Sequence, residues 1–169
     1  VPKEIKTHKY RAGVTPEGVG EFVRHGHTVM VESGLGRGIG ASDEVYAAAG
    51  AVIVASAAEV FDSADLVVKV KEPQPTELKL LRRGQTLFAY LHLAPDRAQT
   101  EGLMASGVTA IAFETVTDAA GALPLLAPMS EVAGRMAIQV GAHYLEKPSG
   151  GRGVLLSGAP GVAPGLVVI

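Results

Sequence analysis

The residues best placed to do chemistry are a lysine and a histidine, each at the end of an apolar run. Leu66-Val67-Val68-Lys69-Val70-Lys71-Glu72-Pro73 is rich in valine and bounded by Asp65 and Pro73, the pattern of a buried strand. Lys71 falls at its carboxyl end, where a parallel strand opens onto the ligand-binding edge of an α/β sheet. Thr86-Leu87-Phe88-Ala89-Tyr90-Leu91 ends the same way, with His92 just past it. An ammonium and an imidazole at one edge can hold an anion and exchange protons near neutral pH. Taken singly, Lys71 reads equally as a solvated strand-end lysine and His92 as a loop histidine. Lys69 faces the same way as Lys71 on a strand of period two, so spacing does not choose between them.

Other candidates join this pair. Arg11 precedes a capped helix and can grip a carboxylate with two nitrogens, or be a plain surface arginine. With Lys71 and His92 it suits a small anionic keto or amino acid. Glu72 and Glu114 are partners that orient the cations, or solvated acids. Ser130 lies in the first turn of a long helix, where free backbone N–H groups attract anions, or is a simple cap. Gly34-Leu35-Gly36-Arg37-Gly38-Ile39-Gly40 follows a strand. A dinucleotide loop needs glycine at its first, third and sixth positions, and the sixth is Ile39, so the stretch reads as a flexible surface loop.

The elements that position these residues alternate. A first segment covers Val1 to Ile5, where Pro2 limits central pairing. Thr15-Pro16-Glu17 opens a helix by N-cap, first-turn proline and acid. Strands are predicted over His27–Glu32, Ala51–Ala55, the two runs above and Thr109–Phe113. Helices are predicted over Ser42–Ala49, Ala57–Phe61, Thr76–Leu81 and Asp96–Ala105. This is an α/β pattern: a mostly parallel, Rossmann-like (flavodoxin-like) sheet with helices on both faces. After Asp118 the character changes. Pro128 opens the longest helix, through Lys147, whose stripe Met129, Val132, Ala133, Met136, Ala137 and Val140 reads as core. Glycine- and proline-rich stretches follow, with a short strand at Val154–Leu156. Leu166-Val167-Val168-Ile169 reads as the opening of a buried strand, so more protein is expected beyond it.

Composition narrows the classes. The 169 residues carry a net charge of -2 and no cysteine. That excludes thiol nucleophiles and zinc–thiolate sites, and gives no basic footprint for nucleic acid. No apolar run reaches bilayer length, no secretory signal is visible, and no metal site is expected.

Several separated stretches agree in order and spacing with one family: Val1-Pro2-Lys3-Glu4, Thr15-Pro16, Val68 to Pro73, Tyr90-Leu91-His92-Leu93-Ala94, Ala112 to Val116, Leu123 to Arg135 and Gly150 to Leu156. The chain resembles the amino-terminal half of the alanine dehydrogenase family, which is related to the alpha subunit of proton-translocating transhydrogenase. The histidine favours the dehydrogenase branch, since the transhydrogenase pattern lacks it. The resemblance implies NAD-dependent, reversible oxidative deamination of L-alanine to pyruvate and ammonia. It implies that Arg11 and Lys71 hold the substrate, that His92 is the catalytic proton relay, and that Glu114 supports Lys71. Ser130, Met129 and Leu126 match the segment lining the cofactor cleft. It implies a cytoplasmic homohexamer, with residues 1–125 as catalytic domain and 126–169 as linking helix and beginning of the NAD-binding domain. Ala12-Gly13 is smaller than the family's usual apolar pair, which is expected to loosen the loop carrying Arg11. The family's glycine fingerprint is expected directly after a strand such as Val167-Val168-Ile169, and without it the isolated chain is expected neither to bind NAD tightly nor to turn over. A transhydrogenase-like component and a non-catalytic remnant are the alternatives.

Overall fold

The computed structural model describes residues 1–168. They form two compact units, Val1–Val116 and a second from Thr117 onward.

In the first unit helices and strands alternate: α1 (Pro16–Arg24), β1 (Met30–Glu32), α2 (Asp43–Ala48), β2 (Val52–Val54), α3 (Ala57–Ser63), β3 (Leu66–Val68), α4 (Pro75–Leu78), β4 (Thr86–Ala89), α5 (Arg97–Ser106) and β5 (Thr109–Ala112). Every strand pairing is parallel, as the alternation requires. The Thr15 cap forms as predicted, its Oγ1 accepting the Gly18 N–H, and Asp96 caps α5 by accepting that of Gln99.

The strands pair as two sets, β1–β2 and β3–β4–β5, where the pattern predicted one sheet. Val1–Glu4 has contacts with both sets. The Val1 amino group donates to the Met30 carbonyl (2.7 Å) and the Glu32 N–H to the Val1 carbonyl (3.1 Å). Pro2 then offers no donor, and the ladder stops. On the other side, the Glu4 carboxylate accepts the N–H groups of Val70 (2.7 Å) and Lys71 (3.2 Å).

Two apolar clusters follow from this. Val1, Val14, Val19, Val31, Leu35, Tyr46 and Val68 pack around β1. Phe61, Val67, Leu81, Leu87, Leu91 and Leu103 pack around β4. Leu35 corrects the flexible-loop expectation. Leu35–Ile39 is a 3-10 helix, and Leu35 is a core residue. Gly36 is glycine for packing, since a Cβ there would stand 2.3 Å from the Ala41 carbonyl oxygen.

The second unit holds α6 (Ala127–Leu145) and a short 3-10 helix, Lys147–Ser149. The core reading of the α6 stripe is overturned: Val132 and Met136 are each 49% exposed, and Val140 is 44% exposed. An apolar stripe is buried only when another layer covers it. Among the described residues of this unit no strand forms such a layer. Val154–Leu156 is not a strand, and the bridge that does form joins Ala159 to Val162. Leu166–Val168 pairs with nothing as a strand, and Leu166 is 92% exposed. Ile169, the last residue of that predicted run, lies outside the described residues.

Candidate active site

The first unit decides between the two lysines. β3 ends at Val68, so the period of two does not carry through to Lys71. Lys69 is fully buried, its Nζ 2.7 Å from Glu77 Oε1 and 3.6 Å from Glu4 Oε2. Its charge is consumed by two carboxylates, as burial demands. Lys71 is partly exposed, and its Nζ stands 3.3 Å from His92 Nε2. An ammonium can only donate, so this contact requires His92 to be neutral at Nε2 and to carry its proton on Nδ1. Tyr90 lies beneath both: Lys71 Nζ is 5.9 Å from the ring centroid, and the His92 ring is stacked at 6.3 Å with an 18° interplanar angle. Phe113 wedges edge-on against Tyr90 at 5.1 Å, so the ring supporting the pair is itself packed.

Burial lowers the Lys71 pKa. Glu72 opposes that shift, and the charges of Arg11, Lys9 and Lys6 deepen it. The Arg11 charge thus acts on Lys71. Glu72 itself pairs with Lys6. Gly13 does not loosen the Arg11 segment. A Cβ on Gly13 would stand 2.8 Å from the Val68 carbonyl oxygen, so the missing side chain lets this segment lie directly on the end of β3.

His92 has a positive φ of 49°, uncommon for a residue with a Cβ. Glu114 holds it there. Its Oε1 accepts the His92 N–H at 2.7 Å, and both carboxylate oxygens lie within 3.2 Å of the Leu91 nitrogen. From the other side, Gln99 Nε2 donates to the Leu91 carbonyl at 2.6 Å. Glu114 therefore supports the His92 main chain, where the resemblance implied support of Lys71. Burial alone would raise the Glu114 pKa, but the main-chain N–H groups that it accepts, that of His92 foremost, outweigh burial and hold it below the ordinary value. A depressed carboxylate pKa stabilises above the unfolded value, about 4.3 for glutamate, and the gain is lost as pH falls through the folded value. Amide-exchange protection of Leu91 and His92, followed by NMR against pH, is expected to persist down to that range and collapse below it. In Glu114→Gln it should lose this acid step. A wild-type step at or above the ordinary glutamate value would contradict the clamp.

Leu126, Met129 and Ser130 belong to the second unit. Leu126 is the residue before α6, and its carbonyl accepts the N–H groups of Met129 (3.0 Å) and Ser130 (3.2 Å). The Ala127 N–H is taken by Leu123, and Pro128 has none. The first-turn N–H groups expected to attract an anion are thus already occupied. The exposed Ser130 hydroxyl remains, 3.5 Å from the Leu126 carbonyl.

The roles of three residues escaped the sequence reading: Tyr90, Glu4 and Lys69. Tyr90 was signalled by its place two before His92, whereas Glu4 stands 66 residues from the Val70 N–H that it accepts and carries no local signal. Lys69 in a valine strand signals a buried partner, but sequence does not name which. A groove of the first unit, about 580 Å³, lies by Met30, Asp65 and Leu66 at the strands' amino ends and is lined by none of the candidates.

Parallel strands that bring Lys71 and His92 together past their carboxyl ends define an α/β domain with a candidate site at the sheet edge. Residues 1–133 match the family model described as alanine dehydrogenase/PNT, N-terminal domain, and the chain belongs to that family. It is 56% identical, over its whole length, to an alanine dehydrogenase of Halomonas elongata, spanning 46% of that protein. A solved L-alanine dehydrogenase superposes with a TM-score of 0.84 at 53% identity, covering 98% of this chain and 45% of the other. A transhydrogenase from Sinorhizobium meliloti gives 0.63 at 27% identity, over 67% of this chain and 32% of that one. The chain thus spans about half the length of the relatives it matches.

Proposed function

We propose that this chain is the substrate-binding part of an alanine dehydrogenase, which interconverts L-alanine with pyruvate and ammonia using NAD. The Lys71–His92 contact at 3.3 Å, beside the Arg11 charge, carries this reading. Arg11 and Lys71 hold the substrate carboxylate and carbonyl region. The neutral Nε2 of His92 is the proton acceptor: it takes a proton from the water that attacks the imine carbon, and returns it to the departing nitrogen as ammonia leaves. Proton transfer of this kind contributes about 10²–10⁴-fold. Glu114 keeps the imidazole in place by its main chain.

NAD, when bound, accepts the substrate hydride. The described residues do not form a phosphate cradle for it. The Gly34–Gly40 stretch is a packed 3-10 helix, and the first-turn N–H groups of α6 are occupied. Leu126, Met129 and Ser130 line the edge of a cofactor cleft in this proposal, with residues 1–125 as catalytic domain and 126–169 as link and beginning of the NAD domain. A homohexameric, cytoplasmic enzyme completes it. Among the described residues no helix is long and apolar enough to cross a membrane. The transhydrogenase reading has the weaker similarity, 27% identity against 53%.

Separate titrations of the isolated chain test the proposal. Pyruvate is expected to shift the NMR signals of the Lys71 ε-methylene and the His92 ring, and to raise the Lys71 pKa. NAD is expected to leave both unmoved up to hundreds of micromolar (about 100-fold above a tight site). Pyruvate without effect on either residue would sink the substrate assignment, and micromolar NAD binding would sink the division of labour.

A further inference from the structure

The loops that carry Lys71 and His92 are held by the same device, used twice. At the end of β4 the Glu114 carboxylate accepts two consecutive N–H groups, Leu91 and His92. At the end of β3 the Glu4 carboxylate accepts two consecutive N–H groups, Val70 and Lys71. Parallel strands end with their N–H groups unpaired on one side, and a carboxylate with two oxygens can take two of them. The Glu4 side chain is only 2% exposed, so its charge needs a fixed counter-ion. Lys69 supplies it at 3.6 Å. Lys69 is also held at 2.7 Å by Glu77, whose other oxygen accepts the Gln74 N–H at 2.8 Å and caps α4.

We infer that Glu4, fixed by the buried Lys69–Glu77 pair, is the positioning residue for Lys71. It sets the height of the Lys71 main chain at the sheet edge, and so the meeting of Nζ with His92 Nε2. It touches no substrate. Lys69, two residues before Lys71, is therefore the buried anchor of the site and not a rival ligand. This rests on the substrate reading above only for its catalytic consequence; the positioning itself is a property of the ligand-free chain.

The test compares wild type, Glu4→Ala, Glu4→Gln and Glu4→Asp in the isolated chain. Amide exchange and the Lys71–His92 contact are read by NMR without ligand, then pyruvate affinity is measured. Glu4→Ala is expected to lose at least about tenfold protection at Val70 and Lys71, an order of magnitude typical of one charge-assisted hydrogen bond, with Leu87 and Ala110 unchanged. The Lys71–His92 contact is lost with it, and pyruvate affinity falls by a similar factor. Glu4→Gln keeps an acceptor oxygen and restores most of the protection. If Glu4→Ala does not fold, Glu4→Asp carries the test: it keeps the charge opposite Lys69 but withdraws the oxygens by one methylene, and loses the same two protections. Retained protection and contact in Glu4→Ala or Glu4→Asp would overturn the inference, as would loss spread evenly over β3, β4 and β5. A wild-type chain that ignores pyruvate would overturn the substrate reading alone, since the ligand-free measurements still decide the role of Glu4.

Discussion

Replacing His92 by alanine, in a protein of the relatives' full length that carries this stretch, is expected to lower alanine-dependent NADH formation by about 10²–10⁴-fold. The fold should survive. His92 is exposed, and its contacts are the Lys71 ammonium and one face of Tyr90. The substitution even removes little from the turn, because Glu114 binds main-chain N–H groups that alanine retains. The positive φ remains, and a short side chain tolerates it no better than histidine, so a modest loss of stability is the only structural effect. The rate should fall with the Michaelis constant for alanine much less changed, since the lost group acts on the proton and not on the carboxylate. Unchanged turnover would show that this histidine is no catalyst and would favour a non-catalytic remnant.

Lys71→Met should act on binding first. A hydrogen bond to a charged group is worth about 1.5–3 kcal/mol, so pyruvate affinity should weaken roughly ten- to a hundredfold. Methionine keeps the length and the contact with Tyr90 while removing the charge. The pH dependence provides an independent check. The Lys71 pKa is depressed, first by burial and then by Arg11, Lys9 and Lys6. An anion prefers the protonated lysine, so its affinity is fully present below the free-state Lys71 pKa and declines as pH rises through it. That decline should begin below the ordinary lysine range in wild type and be absent in Lys71→Met. Calorimetry of pyruvate binding across pH measures both. Affinity unchanged by the substitution would remove Lys71 from the site.

These two residues were legible because each ends an apolar run, and the edge of a parallel sheet is where such runs deliver side chains. The strand–helix alternation and the Thr15 cap were legible for a related reason: they depend on neighbours within a few positions. The α6 stripe misled. Its helical spacing is real, but spacing states only that one face is apolar, and coverage of that face depends on chain elsewhere. The Gly34–Gly40 stretch misled in the opposite direction, because glycine there serves close packing against Ala41 and Tyr46 and not mobility.

By itself the sequence determined the α/β class, most of the elements, the family and the choice of Lys71 and His92 as candidates, since period and motif order are local properties of the chain. Only the tertiary structure decided that Lys69 is buried against Glu4 and Glu77 while Lys71 meets His92, and that Glu114 grips the histidine's main chain. The two lysines differ by a single intervening valine, and which of them can keep a charge exposed depends on carboxylates that stand 65 residues before and 8 residues after Lys69, differences of numbering that no local pattern encodes.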